Sequence, residues 1–186
     1  TLDGLQAQFG SKCVPLQLPI GAQNDFQGIV DLLKMKSYTG SEGKEGEIPS
    51  SLQGRVESFR EKLVEAAAEV DDSLLEKYLG GEELSLEELG NGLRQGVSTG
   101  KIVPVLVGSA LKNIGAGLLM DIASSYLPTP KEGNVAVIGD SGKQETTEPS
   151  QDSPLAALVF KTTADPYVGK LTYFRVYNGV INSNSQ

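Results

Sequence analysis

A mixed α/β domain followed by the opening of a β-domain is the fold class that this sequence predicts. Three observations carry it. Residues 101–107 form a continuous apolar run that ends in Gly108-Ser109-Ala110 and precedes a helical pattern. Strand, short turn and helix make half of a βαβ unit, and the unbroken run is the pattern of a strand buried on both faces of a mostly parallel sheet. Between residues 52 and 79 apolar side chains recur in steps of 4, 3, 4, 4, 3, 4 and 4, which is one buried face of a helix. From Leu155 onward the character becomes β, with runs at 155–160, 171–177 and 180–181.

Composition narrows the class further. The 186 residues exceed one domain of about 150 only slightly. Sixteen Lys and Arg against 24 Asp and Glu leave a net charge of −8, which argues against a basic phosphate-backbone binder. Hydrophobic residues make up 39% of the chain, enough for a sizeable core. The 22 glycines, about 12% of the chain against an average near 7%, call for many turns and caps. Histidine is absent, which removes Ser-His, Cys-His and His-ligated zinc chemistry. The single Cys13, beside Val14 in an apolar run, reads as a buried, inert thiol. No apolar stretch reaches the roughly 20 residues of a membrane helix, and the opening TLDGL lacks a signal-peptide pattern. A reduced, cytosolic compartment is expected. The chain lacks an initiator methionine, which fits processing or excision from something longer.

The elements follow in order. Residues 13–20 alternate and are apolar, a strand closed by Gly21; Pro15 and Pro19 place it at an edge, or entering and leaving a sheet. Residues 26–38 fit either a short helix or two short strands, and 40–46 read as a glycine-rich loop. The long helical stretch divides at Asp71-Asp72-Ser73, where Ser73-x-x-Glu76 reads as a capping box, and Gly80-Gly81 stops it. A second capping box, Ser85-x-x-Glu88, opens another helix, which Gly90, Gly92 and Gly96 weaken by up to about 1 kcal/mol each. The helix with Leu118, Leu119, Ile122, Ala123, Tyr126 and Leu127 in phase ends at Pro128-x-Pro130. Residues 131–153 have linker composition, with only 135–138 able to pair.

Familiar chemical motifs do not assemble. Gly142-Lys143 and Gly43-Lys44 lack the P-loop pattern: Val137 and Gln144 stand at required positions of the first, and Glu45 follows the second. Gly115-Ala116-Gly117 would start a dinucleotide fingerprint, but Met120 occupies the third glycine position, so a helix-entry turn is expected. No two carboxylates converge by spacing, so no catalytic residue and no metal ligand is assigned. Glu57, Glu61, Glu65 and Glu69 recur every fourth residue along one helix side, away from the apolar face. Residues alone leave two readings of that stripe open, a solvated face or a contact surface.

Three stretches add a resemblance. Residues 101–113, KIVPVLVGSALKN, resemble the last buried strand and Ser-Ala loop of a translational GTPase, elongation factor G in particular. Residues 154–179, with DPYVGKL and RVYNG, resemble the opening strands of that family's second domain, and SSYLPTP at 124–130 resembles the helix exit between the two. Segment 14–100, with Leu18-Pro19-Ile20-Gly21, resembles the subdomain that elongation factor G inserts into its GTPase domain.

The resemblance implies the C-terminal part of a P-loop GTPase domain with an α+β insertion, followed by the first strands of a β-barrel. It divides the chain into a GTPase-domain remnant at 1–20, the inserted subdomain at 21–100, the last strand and helix at 101–130, a linker at 131–153 and the barrel start at 154–186. P-loop, switch regions, Asp-x-Pro-Gly, Asn-Lys-x-Asp and the catalytic histidine all precede residue 1 in the family. Gly108, Ser109, Ala110 and Leu111 would remain as the guanine-side loop, where a backbone N–H meets the guanine carbonyl oxygen; on the residues alone, Ser109-Ala110 is an ordinary helix N-cap turn. GTP or GDP with magnesium is implied for the intact parent and no cofactor for this chain. The implied partner is the ribosome, with Glu57, Glu61, Glu65 and Glu69 meeting a basic stalk domain, and neither nucleic acid nor membrane is expected to be touched directly. An acidic protein-interaction module without a nucleotide role, and a ribosomal protection or recycling paralogue, are the alternatives.

Overall fold

The computed structural model describes residues 2–133, 135–139 and 142–184. It is mixed α/β and divides into two compact units, Thr1–Leu127 and Pro128–Gln186. Thr1 of the opening pentapeptide, residues 134, 140 and 141 of the expected linker, and residues 185 and 186 of the expected barrel start lie outside the described residues.

In the first unit α1 (Leu2–Phe9) leads into β1 (Cys13–Pro15) and β2 (Gln17–Ile20). The single strand expected over 13–20 is therefore two strands in two sheets. Leu16 is the switch: its N–H donates to Val105 O at 2.9 Å, and its carbonyl accepts from Leu32 N–H at 2.9 Å. Pro15 and Pro19 lack an N–H, so neither strand can pair fully on both sides. The Cys13 thiol is free and buried.

The segment left open between helix and strands resolves as two strands, β3 (Gly28–Asp31) and β4 (Lys36–Thr39), in an antiparallel sheet of order β2-β3-β4-β5. Residues 40–46, read as a loop, are a loop only to residue 43. Lys44–Gly46 is β5, a three-residue edge strand pairing with residues 37–39. Its Lys, Glu and Gly have low β-propensity, and backbone pairing overrides it. In the β3–β4 connection the Asp31 carboxylate accepts from Leu33 N–H at 2.8 Å and Lys34 N–H at 3.0 Å.

Helix α2 (Gln53–Ala68) lays Val56, Leu63, Ala67 and Ala68 onto the core, while its Arg60 donates to Leu32 O at 2.6 Å and Leu33 O at 3.1 Å. Burial lowers the Arg60 pKa against the opposing pull of Asp31. In α3 (Asp72–Leu79) the cap differs from the expected Ser73–Glu76 box. Asp71 is the N-cap, and its carboxylate accepts from Ser73 N–H at 2.9 Å and Leu74 N–H at 3.3 Å. One carboxylate oxygen serves two orphan donors and Ser73 Oγ as well, which a serine at that place could not match. The expected box at α4 (Leu86–Ser98) is present: Glu88 N–H donates to Ser85 Oγ at 3.2 Å and Ser85 N–H to Glu88 Oε2 at 2.8 Å. Gly92 and Gly96 do more than weaken α4. A Cβ on Gly92 would lie 2.7 Å from Ala67 O, and one on Gly96 2.5 Å from Ile102 Cδ1, so these glycines let the helix approach its neighbours.

The run 101–107 yields only β6 (Val103–Val105), parallel to β1. It is not buried on both faces: Val103 is 39% exposed, and β1 is its one strand neighbour among the described residues. Pro104 contributes no ladder N–H, which shortens the pairing. Helix α5 (Ala116–Tyr126) follows, N-capped by Gly115 in the left-handed conformation, and ends before Pro128. Only Ile122 of its apolar phase is buried. The main core joins Leu16, Leu18, Val30 and Leu32 of the sheet region to Val56, Leu63 and Ala67 of α2 and Leu89 and Leu93 of α4.

The second unit holds two antiparallel pairs. β7 (Val135–Ile138) pairs with β8 (Gln144–Thr147), so the polar stretch read as linker contains a hairpin. The partner strand Gln144–Thr147 carries no apolar side chain, so no apolar alternation marks it. β9 (Ala156–Asp165) and β10 (Gly169–Asn178) form a long ribbon with irregularities between Tyr173 and Phe174 and between Val176 and Asn178. Asp165 shapes its turn, accepting from Tyr167 N–H at 2.8 Å and Val168 N–H at 2.9 Å. Residues 180–181, expected in a strand, lie outside any, since the ribbon ends at Asn178. Buried Asn178 accepts from Ser150 N–H at 2.7 Å and donates to Thr147 Oγ1 at 3.1 Å.

Candidate functional site

The loop after β6 is built by short-range turns and anchored from far along the chain. Ser109 and Ile114 exchange backbone hydrogen bonds of 2.9 and 3.0 Å and close it. Inside it Asn113 N–H donates to Ala110 O at 3.2 Å, and Asn113 takes a left-handed φ of 52°. Ser109 Oγ accepts from Lys112 N–H at 3.3 Å. Ser109 therefore caps a turn of this loop and not helix α5, whose N-cap is Gly115. The bland N-cap reading of Ser109-Ala110 is not the arrangement present.

Three contacts fix the loop to the β2–β3 region. At its entry Val107 N–H donates to Oε1 of Gln17, a residue only 2% exposed. At its exit Ile114 packs with Phe26 and Ile29. At its tip Lys112 Nζ donates to Asn24 O at 2.5 Å and Phe26 O at 3.1 Å. Gly108, Ala110 and Leu111 are exposed, Leu111 at 98%, and Ser109 is half-buried. Among the described residues the N–H groups of Ala110 and Leu111 have no hydrogen-bond partner. Two adjacent donors without a partner can receive a carbonyl oxygen. The loop offers no carboxylate or imidazole for proton transfer.

Glu57, Glu61 and Glu65 lie exposed on α2, opposite its buried Val56, Leu63 and Ala67, and Glu69 continues the line as C-cap. None of the four joins an ion pair among the described residues. Two cations neighbour the stripe in sequence: Arg60 is engaged with carbonyls, and Lys62 sits over the Phe59 ring at 5.4 Å. Glu65 and Glu69 also line a groove of about 690 Å³, together with Phe59, Val70, Asp3 and Lys12. No residue of 108–111 lines that groove, so the two expected sites are separate features of the first unit.

Gly43-Lys44 and Gly142-Lys143 both lie in or beside strand-to-strand turns and precede no helix. Among the described residues no three His, Cys, Asp or Glu side chains gather to hold a metal ion, and no helix is long and apolar enough to cross a membrane. Sequence reasoning missed Gln17, Lys112 and the β2–β3 turn as parts of the loop's support. They lie 86 to 90 residues from their partners, where no local pattern operates.

No family model matches the chain. A crystal structure of a protein from Thermus thermophilus is similar to it, with a TM-score of 0.76 and 33% sequence identity. The alignment covers 96% of this chain and 25% of the Thermus chain, so this chain spans about a quarter of its neighbour's length.

Proposed function

We propose that this chain is part of a ribosomal translocation GTPase of the elongation factor G type, a cytoplasmic protein whose GTP hydrolysis drives tRNA and mRNA movement on the ribosome. The observation that carries the reading is the loop 108–111. It follows a parallel strand, precedes a helix, and presents the adjacent N–H groups of Ala110 and Leu111, which have no partner among the described residues. A guanine carbonyl oxygen fits such donors, and a helix N-cap role for Ser109 no longer competes with it. Further support comes from the two-stranded parallel pair β1–β6, since parallel sheets generally occur with more strands and covered faces.

In this reading the phosphates and magnesium belong to segments of the parent outside this chain, and they supply most of the affinity and the chemistry. This chain alone is expected to turn over no GTP and to give no calorimetric signal with GTP or GDP. The stripe of Glu57, Glu61, Glu65 and Glu69 is the surface for a basic stalk domain. The test is ribosome-stimulated GTP turnover by the parent polypeptide. A parent without it, or micromolar GDP binding by this chain alone, overturns the reading. The unpaired stripe beside a groove also suits an acidic protein-interaction module, for which neither nucleotide measurement would respond.

A further inference from the structure

We propose that Lys112 is a positioning residue: its ammonium clasps the β2–β3 turn and so holds the Ala110 and Leu111 N–H groups outward for a purine carbonyl oxygen. The proposal rests on the guanine-side reading of the loop and adds the device that shapes it.

The geometry supports this residue in particular. Gln17 fixes the loop's entry through Val107 N–H, and Ile114 fixes its exit by packing. Between them the tip is held internally by one turn hydrogen bond to Ala110 O and one to Ser109 Oγ. Among the described residues Lys112 is the single tip residue with a hydrogen bond outside the loop, donating to two carbonyls 86 and 88 residues away. Hydrogen bonds from an ammonium are stronger than those between neutral groups. The acceptors are themselves well fixed. Asp25 N–H donates to Ala22 O at 2.9 Å, Phe26 N–H to Gln23 O at 3.3 Å, and Gln27 N–H to Ile20 O at 2.9 Å. The backbone at Gly21 passes so close to Asp25 O that a Cβ there would overlap it at 2.0 Å. A charged side chain thus spans from a stiff turn to a loop whose own bonds are few. Recognition through two backbone donors needs their positions held to about 0.5 Å, which a loose tip cannot provide.

Amide hydrogen exchange by NMR on this chain, as Lys112→Met, Lys112→Arg and the unsubstituted sequence, is the first arm. Lys112→Met is expected to speed exchange at Ser109, Asn113 and Ile114 about tenfold or more while Leu63 and Leu93 are unchanged, and Lys112→Arg to restore most of the protection. The second arm uses the parent polypeptide with GDP and with the diphosphate of 2,6-diaminopurine riboside, which carries an amino group in place of the carbonyl. Lys112→Met should weaken GDP about tenfold and shrink the preference for GDP over the analogue, and Lys112→Arg should restore both. Unchanged exchange overturns the clasp whatever the parent binds. Faster exchange with an unchanged preference overturns the positioning role. A parent that binds no GDP overturns the guanine reading and with it the ligand half of the proposal.

Discussion

In the first unit Leu16, Ile29, Leu32, Leu63, Leu89 and Leu93 are 0–1% exposed, whereas in the second unit the larger Phe160, Tyr173 and Phe174 keep 64%, 45% and 46% of their surface in water. The hydrogen-bonded registers are not the cause, since β9–β10 is the longest pairing among the described residues. The difference is the second layer. Helices α2 and α4 cover the apolar side chains of β2 and β3 in the first unit, and two-stranded ribbons by themselves have two open faces. Pairing sets the shape of both regions; covering sets how strongly each resists unfolding.

The sharpest way to break that comparison is truncation on each side of it. Leu63→Ala removes a fully buried side chain of α2 and is expected to destabilise the first unit by about 2–5 kcal/mol. Phe160→Ala, on the open ribbon, is expected to cost under about 1 kcal/mol. Urea unfolding of the two variants reads both, and equal costs would mean that the ribbon is covered. Amide exchange sharpens the same contrast by residue. Amides at 171–177 should exchange faster than those of β3, which is central in its sheet and buried throughout. β6, short and half-exposed, should fall between them, and a β6 as protected as β3 would restore the two-face burial that its sequence suggests.

A third measurement separates the helical layer from the ribbon by pH. The Glu88 carboxyl is lowered from 4.5 to about 2, first by the hydrogen bond from Lys77 Nζ and then by the Ser85 N–H and hydroxyl. A depressed carboxyl contributes stability above its unfolded pKa, and that contribution fades as pH falls through the folded value. The contribution of Glu88 is therefore full above about pH 4.5 and is lost toward pH 2. Glu88→Gln should flatten the acid dependence of α3–α4 unfolding across that window and leave the exchange of β9–β10 unaltered. An unchanged acid limb in the variant would assign the dependence to other carboxylates.

What could be read from the sequence follows the range of the forces involved. Periodicity located α2, α3, α4 and α5 because one buried face repeats every three or four residues along the chain itself. The Ser85–Glu88 box was visible for the same reason. Leu16 as a switch between sheets was not, because an alternating run looks the same whether its partners are one sheet or two. β5 and β8 were hidden by polar composition, since their pairing is carried by backbone groups that every residue except proline shares. Of the candidate loop, Gly108, Ser109, Ala110 and Leu111 stood out only through the resemblance of residues 101–113 to a translational GTPase, since on the residues alone Ser109-Ala110 is an ordinary N-cap turn. Its supports at Gln17 and Lys112 did not, because a contact across 86 to 90 residues leaves no local trace.

The smallest expected effect on stability lies within one helix, whose two sides repeat the comparison between covered and open surface. Val56, Leu63 and Ala67 face the core, and Glu57, Glu61, Glu65 and Glu69 face water without ion pairs among the described residues. Like charges four residues apart repel by a few tenths of a kcal/mol per pair, and Lys62 beside the stripe sits over the Phe59 ring. Reversing Glu61 and Glu65 to Lys turns two of the three like-charge pairs into Glu–Lys pairs and leaves one, between positions 61 and 65, so the double variant should unfold within about 0.5 kcal/mol of the unsubstituted chain. Its effect on binding should be large by contrast. A basic stalk domain is expected to meet the stripe weakly and to lose it as the Debye length shrinks from about 10 Å at 0.1 M salt to about 3 Å at 1 M. Chemical-shift titration of the isolated stalk domain against both proteins, at both salt concentrations, reads the contact directly. Shifts confined to α2 that vanish in the variant and at high salt support the surface. Binding indifferent to the reversal or to salt returns the stripe to a solvated face, with the helix just as stable.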